Sequence, residues 1–475
     1  MHNFRNLWKL AVLSLFVQAC SIPPLVKSPD KRAIPSGFAA ANDSTNSARI
    51  SWKNYFPDPN LRALIEEALT NNQELNFTLQ ELEIARNEVR ARKGDYLPFV
   101  SGEGSLGVEK PGRYTSQGSS EATTDIKPGK VTPDPLGDFR GGLYASWEVD
   151  VWHKLRNARK AAYQRYVGSN DGKNFLVTQL IAEIANSYYE LLALDNQLEI
   201  VKQNIEIQNN AYKMVRLEKE ATRVTELAVK RFEAQVLHTR GLQFDIQQKI
   251  VEMENRINFL TGRYPQPIAR NSAGFVSLKP DSIFTGLPSQ LLQNRPDIRK
   301  AEQELLAAQL DVKVARARFY PSVNLSAALG LQAFNPAYLV KMPESVLYGL
   351  AGNLAGPLVN RNALKALYAN ANARQIQAVF HYEQTVLNAF LEVSNQISNI
   401  RNLGSRFTLK DQEVQALMQS ATISNSLFLS ARADYMEVLL TQRDALESRF
   451  DLIETRKQQM NASVNMYRSL GGGWN

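Results

Sequence analysis

Apolar positions recur at helical spacing in two long parts of the chain. In the first part they are Ile181, Ile184, Tyr188, Leu191, Leu198, Val201 and Ile205. In the second part they are Val386, Phe390, Val393, Ile397 and Ile400. Steps of three and four residues place these side chains on one face of a helix, which favours packing like that of a coiled coil.

The same two parts nearly lack proline and glycine, the residues that most disrupt helices. No proline lies between Pro135 and Pro265 or after Pro357. We therefore expect very long helices, and a helix of about 65 residues would span on the order of 100 Å. Each long part needs a reversal, and the candidate segments are 220–225 and 430–435, although neither contains glycine or proline.

Strict alternation of apolar residues with small or polar ones replaces this spacing in four segments, which predicts four β-strands. The apolar positions run from Val100 to Val108, Phe139 to Val149, Val323 to Leu331 and Val346 to Leu354. Residues 110–138 and 335–344 are expected to be loops. Strands of about ten residues with one apolar face suit a bilayer crossing, with lipid outside and water inside. A soluble sheet with one wet face is the alternative.

Four strands cannot close a membrane barrel, which needs at least ~8, because open edges cannot be satisfied in lipid. Either the chain is not in a membrane, or several copies share one barrel. Two copies would form a barrel whose interior is filled by side chains, and three copies would form a barrel with room for a pore.

The two halves of the chain match in order, which indicates a duplication. Asn71 and Leu75 of the first half match Asn294 and Ile298 of the second, and Pro98 matches Pro321. We expect a first repeat at 61–262, a linker at 263–288 and a second repeat at 289–475.

Composition and charge narrow the function. Hydrophobic residues make up 44% of the chain and charged residues 21%, which excludes a disordered chain. The net charge of +8 is not concentrated in a basic block with interleaved aromatics, so a mixed-charge helical surface is favoured over nucleic-acid binding. The four histidines are scattered, and no phosphate loop or serine nucleophile elbow occurs. The GxGxxG match at 102–107 lies in a predicted strand. We expect no catalytic site, metal or cofactor.

The N-terminus has the form of a bacterial lipoprotein signal. Basic Arg5 and Lys9 precede a short apolar run, and Cys20, the sole cysteine, stands at the expected cleavage point. We expect a signal peptide at 1–19, lipid attachment at Cys20 and a flexible tether within 20–60. An ordinary signal peptide with an incidental cysteine is the alternative.

Several segments together resemble the outer membrane factor (TolC-like) family, in its lipoprotein branch. Segment 52–61 is similar to the family's W-x-x-F-x-D-P-x-L sequence, and 71–75 and 294–298 resemble its N-x-x-[DE]-[LI] signatures. Segment 147–152 resembles the exit from its second strand, 315–321 its helix-to-strand corner, and 433–439 its second helix tip.

The resemblance implies a fold and an assembly. The fold is mixed α and β, a duplicated unit whose very long helices form a periplasmic α-barrel. Four strands per chain contribute to a shared 12-stranded trimeric outer-membrane β-barrel. The homotrimer would be the passive exit duct of a tripartite export system, with a periplasmic adaptor (membrane fusion) protein and an inner-membrane pump as partners. A lipid-anchored periplasmic coiled-coil scaffold without a pore is the rival hypothesis.

Site residues follow from the same resemblance. The gate candidates are Asp434, Tyr435 and Glu437. Leu440 stands where a second acid is common in the family. The adaptor-contact candidates at the tips are Thr222, Arg223, Thr225, Ala431 and Arg432.

Overall fold

The computed structural model describes residues 22–27, 35, 37–38, 46–280, 285–430 and 432–474. The α-helices are α1 Trp52–Tyr55, α2 Pro59–Asn71, α3 Gln73–Asp95, α4 Ser116–Glu121, α5 Lys154–Glu220, α6 Glu226–Leu260, α7 Leu291–Asn294, α8 Pro296–Ala317, α9 Asn362–Leu429 and α10 Tyr435–Ser469. The strands are β1 Phe99–Glu109, β2 Asp125–Lys127, β3 Lys130–Val131, β4 Leu136–Val149, β5 Ser322–Ala333 and β6 Val346–Ala355.

The long helices confirm the prediction from the proline-free stretches. Helix α5 has 67 residues and is followed by α6 with 35, while α9 has 68 residues and is followed by α10 with 35. The near-identical lengths in the two halves agree with a duplication. The chain reverses between α5 and α6 and between α9 and α10, within the two segments expected from the sequence.

The four predicted strands are also confirmed, and they form one antiparallel sheet in the order β1, β4, β5, β6. Its register places Leu143 of β4 opposite Gly102 of β1 and Leu329 of β5, and Leu329 is in turn opposite Tyr348 of β6. Directly opposed residues lie on the same side of a sheet. The alternating apolar residues of all four strands therefore form one continuous surface, hereafter the apolar face. Strands β1 and β6 are the edges.

The prediction of a plain loop at 110–138 was wrong. Helix α4 forms there because the hydroxyl of Thr115 accepts a hydrogen bond from the Gly118 amide at 3.1 Å. Strands β2 and β3 form a small hairpin, whose turn uses the left-handed backbone of Gly129 (φ 72°). Residues 136–138 extend β4. Elements this short contain too few residues to set up a recognisable period.

The described chain divides into two compact units. Of the described residues, one unit contains the four-stranded sheet and comprises 22–27, 83–167 and 303–380. The other comprises the remaining described residues. The second unit contains the largest apolar core, in which Ile181, Ile184, Tyr188, Leu191 and Val201 of the predicted helix seam are fully buried.

The tether expected within 20–60 stays a prediction, and three of its described apolar residues pack against other parts of the chain. In the sheet-containing unit, Ile22 and Leu25 pack against a small core that includes Phe319 and Tyr368. In the other unit, Phe38 is buried and stacks on Phe390 with ring centroids 5.2 Å apart. These contacts involve isolated apolar residues in a polar segment, so no periodic pattern predicted them.

In each repeat, a buried polar side chain donates a hydrogen bond to the carboxyl end of the last helix. This contact is called the joint of the repeat, and the two joints use different side chains. In the first repeat, the buried side-chain amide of Asn72 donates to the Leu260 carbonyl at the end of α6, at 2.9 Å. In the second, the buried Arg295 guanidinium donates to the Ser469 carbonyl at the end of α10, also at 2.9 Å. Arg295 is held in turn by Asp297 at 2.6 Å.

A glycine completes each joint. Gly262 (φ 72°) and Gly471 (φ 88°) have the left-handed backbone that glycine adopts without steric cost. A Cβ atom on Gly262 would lie 2.4 Å from the Asn71 carbonyl oxygen, and one on Gly471 would lie 2.5 Å from that of Asn294. Both positions therefore exclude any larger residue.

We predict that Gly262→Ala and Gly471→Ala each destabilise the protein by more than ~1 kcal/mol, because alanine is strained there and clashes with backbone. Gly241→Ala is the control, since Gly241 lies inside α6 with nothing within 4 Å of its would-be Cβ. That variant should be stabilised by about 0.5–1 kcal/mol. Thermal unfolding of the purified protein measures all three, and equal shifts would contradict the assignment of the joints.

Candidate functional site at the helix tips

The first tip, residues 221–225, reverses the chain without glycine. Thr222 adopts a left-handed backbone (φ 61°). The Thr222 amide donates to the Lys219 carbonyl and the Arg223 amide to the Glu218 carbonyl, each at 2.9 Å. This is the hydrogen-bond pattern of a Schellman helix end, where glycine is usual. The side chains of Thr222 and Arg223 are exposed at the apex.

The second tip has one of the same hydrogen bonds. The Arg432 amide donates to the Leu427 carbonyl at 2.9 Å, as Arg223 does in the first tip. Asp434 then caps α10, its carboxylate accepting from the Met436 amide at 3.4 Å. Thr225 caps α6 at the equivalent position but makes no side-chain capping bond. Ala431, one of the candidates from the sequence, lies outside the described residues.

An apolar cluster joins the two hairpins just behind their tips. Its buried members are Val215, Ala228, Val229, Phe232 and Val438. Tyr435 and Phe428 pack against it from the second hairpin and Val224 from the first. The Tyr435 ring is thus half-buried in this cluster, and packing fixes its position in the single chain.

Glu437 differs from Tyr435 and Val438, which pack in this cluster, and its side chain makes no hydrogen bond or ion pair among the described residues. Its side chain is exposed in the first turn of α10. The repeat places Ala228 at the equivalent position of α6, where it is fully buried in the tip cluster. The first hairpin therefore forms with alanine at this position, and only the second repeat has a carboxylate there.

The charged candidates stay separate in one chain. Among the described residues, no side-chain hydrogen bond joins Arg223, Arg432, Asp434 or Glu437 to one another. The nearest ion pair at the first tip joins Lys219 to Glu226 at 3.0 Å. The hydrogen bond from Lys219 lowers the pKa of Glu226. Exposed pairs of this kind stabilise little.

One polar contact near the second tip could not be predicted from the sequence. The hydroxyls of Ser424 on α9 and Thr441 on α10 are 2.7 Å apart, and Ser424 is buried. This pair connects the two helices of the hairpin about two turns from the reversal. Only the exact position of the turn brings the residues together, and that position cannot be read from periodicity.

Within the described residues, no three His, Cys, Asp or Glu side chains are grouped so that they could hold a metal ion.

None of the described helices combines the length and the apolar character needed to cross a membrane.

A four-stranded sheet with a continuous exposed apolar face, joined to helices of 67 and 68 residues, defines the class of outer-membrane channel proteins with long helical conduits. The outer membrane efflux protein family matches residues 64–263 and 287–472. The chain belongs to this family.

Known relatives agree over nearly the whole length. The pyoverdine export outer membrane protein OpmQ of Pseudomonas aeruginosa is 29% identical over 92% of this chain and 90% of its own. The cation efflux system protein CusC of Escherichia coli O6:H1 is 26% identical over 97% of both chains. The open-state structure of the MtrE outer membrane channel of Neisseria gonorrhoeae has the same fold, with a TM-score of 0.83 and 21% identity over 96% of this chain and 99% of that one.

The predicted function and location are therefore confirmed: the protein is an outer-membrane efflux channel of the type used by tripartite efflux systems. The family resemblance and the mixed fold are confirmed as well. Members of the family form trimeric channels that work with an adaptor and an inner-membrane pump. The relatives are efflux channels and not enzymes. Nothing in the fold or among the relatives favours the rival scaffold.

We predict that Glu437→Ala changes single-channel conductance, cation preference or cation block in planar bilayers. Copies of this carboxylate near a symmetry axis would concentrate cations. Glu413→Ala is the control, because Glu413 is paired with Lys410 at 3.0 Å and its charge is already offset. If Glu437→Ala matches wild type in all three electrical properties, the assignment of Glu437 to the entrance is wrong.

Proposed function

We propose that three copies of the chain form one continuous exit duct, with a twelve-stranded barrel in the outer membrane and a helical tunnel in the periplasm. The observation that carries this proposal is the apolar face of the sheet. Leu106, Tyr348 and Leu350, from its two edge strands, are more than four-fifths exposed in the single chain. Apolar side chains of this size are stable at such exposure when they face lipid.

The strand directions allow copies of the sheet to join. The order β1, β4, β5, β6 is antiparallel throughout, so the two edge strands run in opposite directions. The β6 edge of one copy can therefore pair with the β1 edge of the next in the same antiparallel pattern. Three copies supply twelve strands and leave space for a pore.

The opposite side of the sheet suits a water-filled interior. Its residues alternate with those of the apolar face and are mostly small or polar. They include the charged residues Glu103, Glu109, Asp138, Arg140 and Glu148. Lumen residues of a membrane barrel are polar because they face water.

The helix tips form the periplasmic end of the duct in this proposal. Asp434 and Glu437 line the entrance, and Tyr435 holds the second hairpin against the first through the tip cluster. Thr222, Arg223, Thr225 and Arg432 are exposed at the apices and are the proposed contacts for the adaptor protein, together with Ala431. The inner-membrane pump supplies the energy.

The ends of the chain complete the assignment. Cys20 lies outside the described residues and remains the proposed lipid-bearing residue, after removal of the signal peptide at 1–19. The boundaries of the two repeats, 61–262 and 289–475, and of the linker at 263–288 remain predictions from the sequence. OpmQ exports pyoverdine and CusC cations, so the pump would select what this duct carries.

We predict that Leu143→Arg, on the apolar face, destabilises the barrel by ~2–4 kcal/mol near the bilayer midplane, because it places a charge in lipid. Ser326→Arg is the matched control on the opposite face, where the charge meets water. The fraction of heat-resistant oligomer in outer membranes and the conductance in planar bilayers measure the difference. Equal losses for the two variants would argue against a membrane barrel.

A further inference from the structure

Two lysines contact one tyrosine, and a third lysine lies in the same loops, at the end of the sheet opposite its helix connections. Lys127 and Lys130 belong to the small hairpin between β1 and β4, and Lys341 and Tyr338 lie between β5 and β6. The Lys127 ammonium donates to the Tyr338 hydroxyl at 2.8 Å. The ammonium groups of Lys127 and Lys341 each lie 5.0 Å from the centre of the Tyr338 ring.

Within the described residues, these three lysines form no ion pair of the kind found nearby. Elsewhere in the same loops, Lys110 and Arg113 lie 3.6 and 3.7 Å from the Asp134 carboxylate. In the described chain, none of the three lysines around Tyr338 has a carboxylate within 4.0 Å. The hydrogen bond from Lys127, with the charges of Lys127, Lys130 and Lys341, lowers the pKa of Tyr338. The potential at this point is therefore positive, which suits an anion.

The neighbours of the lysines indicate what kind of anion fits. Val340 and Met342 flank Lys341 in sequence and are 81% and 68% exposed. Val131 follows Lys130 and is 55% exposed. Exposed apolar side chains beside ammonium groups match a ligand that carries an anionic head and apolar chains. A free inorganic anion would gain nothing from these apolar neighbours.

We propose that Lys127, Lys130 and Lys341 form a binding site for the phosphate groups of a phosphorylated lipid in the outer leaflet of the outer membrane. The proposal rests on the proposed function, because the membrane-spanning sheet places these loops at the outer surface. Tyr338 is the platform that holds two of the lysines in place. By binding lipid at the outer rim, the site would set how deeply the barrel sits in the membrane.

Binding of defined lipids to the purified full-length protein tests the site. The probes are bisphosphorylated lipid A and the same lipid with both phosphates removed, measured by native mass spectrometry. Wild type should bind the phosphorylated form at least about tenfold tighter, which corresponds to ~1.4 kcal/mol. The variant Lys127→Gln/Lys130→Gln/Lys341→Gln should lose this preference.

A second triple variant controls for the change in net charge. Lys213, Lys249 and Lys313 are exposed on the helices, and Lys213→Gln/Lys249→Gln/Lys313→Gln should keep the preference. Equal preference in the two triple variants would overturn the proposal. Equal affinity for inorganic phosphate and for the phosphorylated lipid would overturn it too, since the apolar chains would then contribute nothing to binding.

Conductance of the same samples in planar bilayers tests the duct independently of the lipid site. Wild type and both triple variants should form conducting channels. Conducting channels without a lipid preference would refute the lipid site and leave the duct intact. Absence of conductance in wild type would refute the proposed duct itself.

Discussion

Unpaired backbone groups at the two edges of the four-stranded sheet are the constraint on which the rest of the structure depends. In lipid every backbone N–H and C=O must find a partner within the protein. One chain cannot meet this requirement, because β1 and β6 are separated by β4 and β5 and their outer sides are open. Antiparallel order gives the two edges opposite directions, so copies of the chain can complete each other. The exposed apolar face has the same consequence, since it needs lipid around a closed wall.

The duplication explains why one chain contains two similar sets of strands and long helices. Both repeats turn from strand to long helix through a left-handed residue, His153 (φ 59°) in the first and Asn360 (φ 52°) in the second. The joints at the helix ends are conserved in position but not in chemistry, with Asn72 in one repeat and Arg295 in the other. The buried Ala228 and the exposed Glu437 show the opposite case, in which equivalent positions differ in both residue type and burial. Such differences between repeats distinguish residues needed for folding from residues available for function.

Much of the fold could be predicted because long periods carry strong signals. The absence of proline and glycine predicted the long helices, and alternation predicted the strands from Val100 to Leu354. Features that depend on single residues were not predictable. The left-handed backbone of Thr222 was not predictable because glycine, the usual residue in that conformation, is absent there. The packing of Phe38 on Phe390 depends on a single ring in a polar segment. For the candidate site, the sequence located the tips through the repeat, whereas the packing of Tyr435 and the Ser424–Thr441 contact needed the three-dimensional register of the hairpins.

Cross-linking between the edge strands tests the shared barrel most directly. A cysteine at Ser105 in β1 is combined in turn with one at Gly349, Ala351 or Asn353 in β6, all on the side opposite the apolar face. Within one chain these strands are about 14 Å apart, three strand spacings, which is too far for a disulfide. Oxidation in outer membranes should therefore link different chains and give a covalent trimer as the largest product for at least one combination. Monomers alone from every combination, or products larger than a trimer, would contradict the shared barrel of three chains.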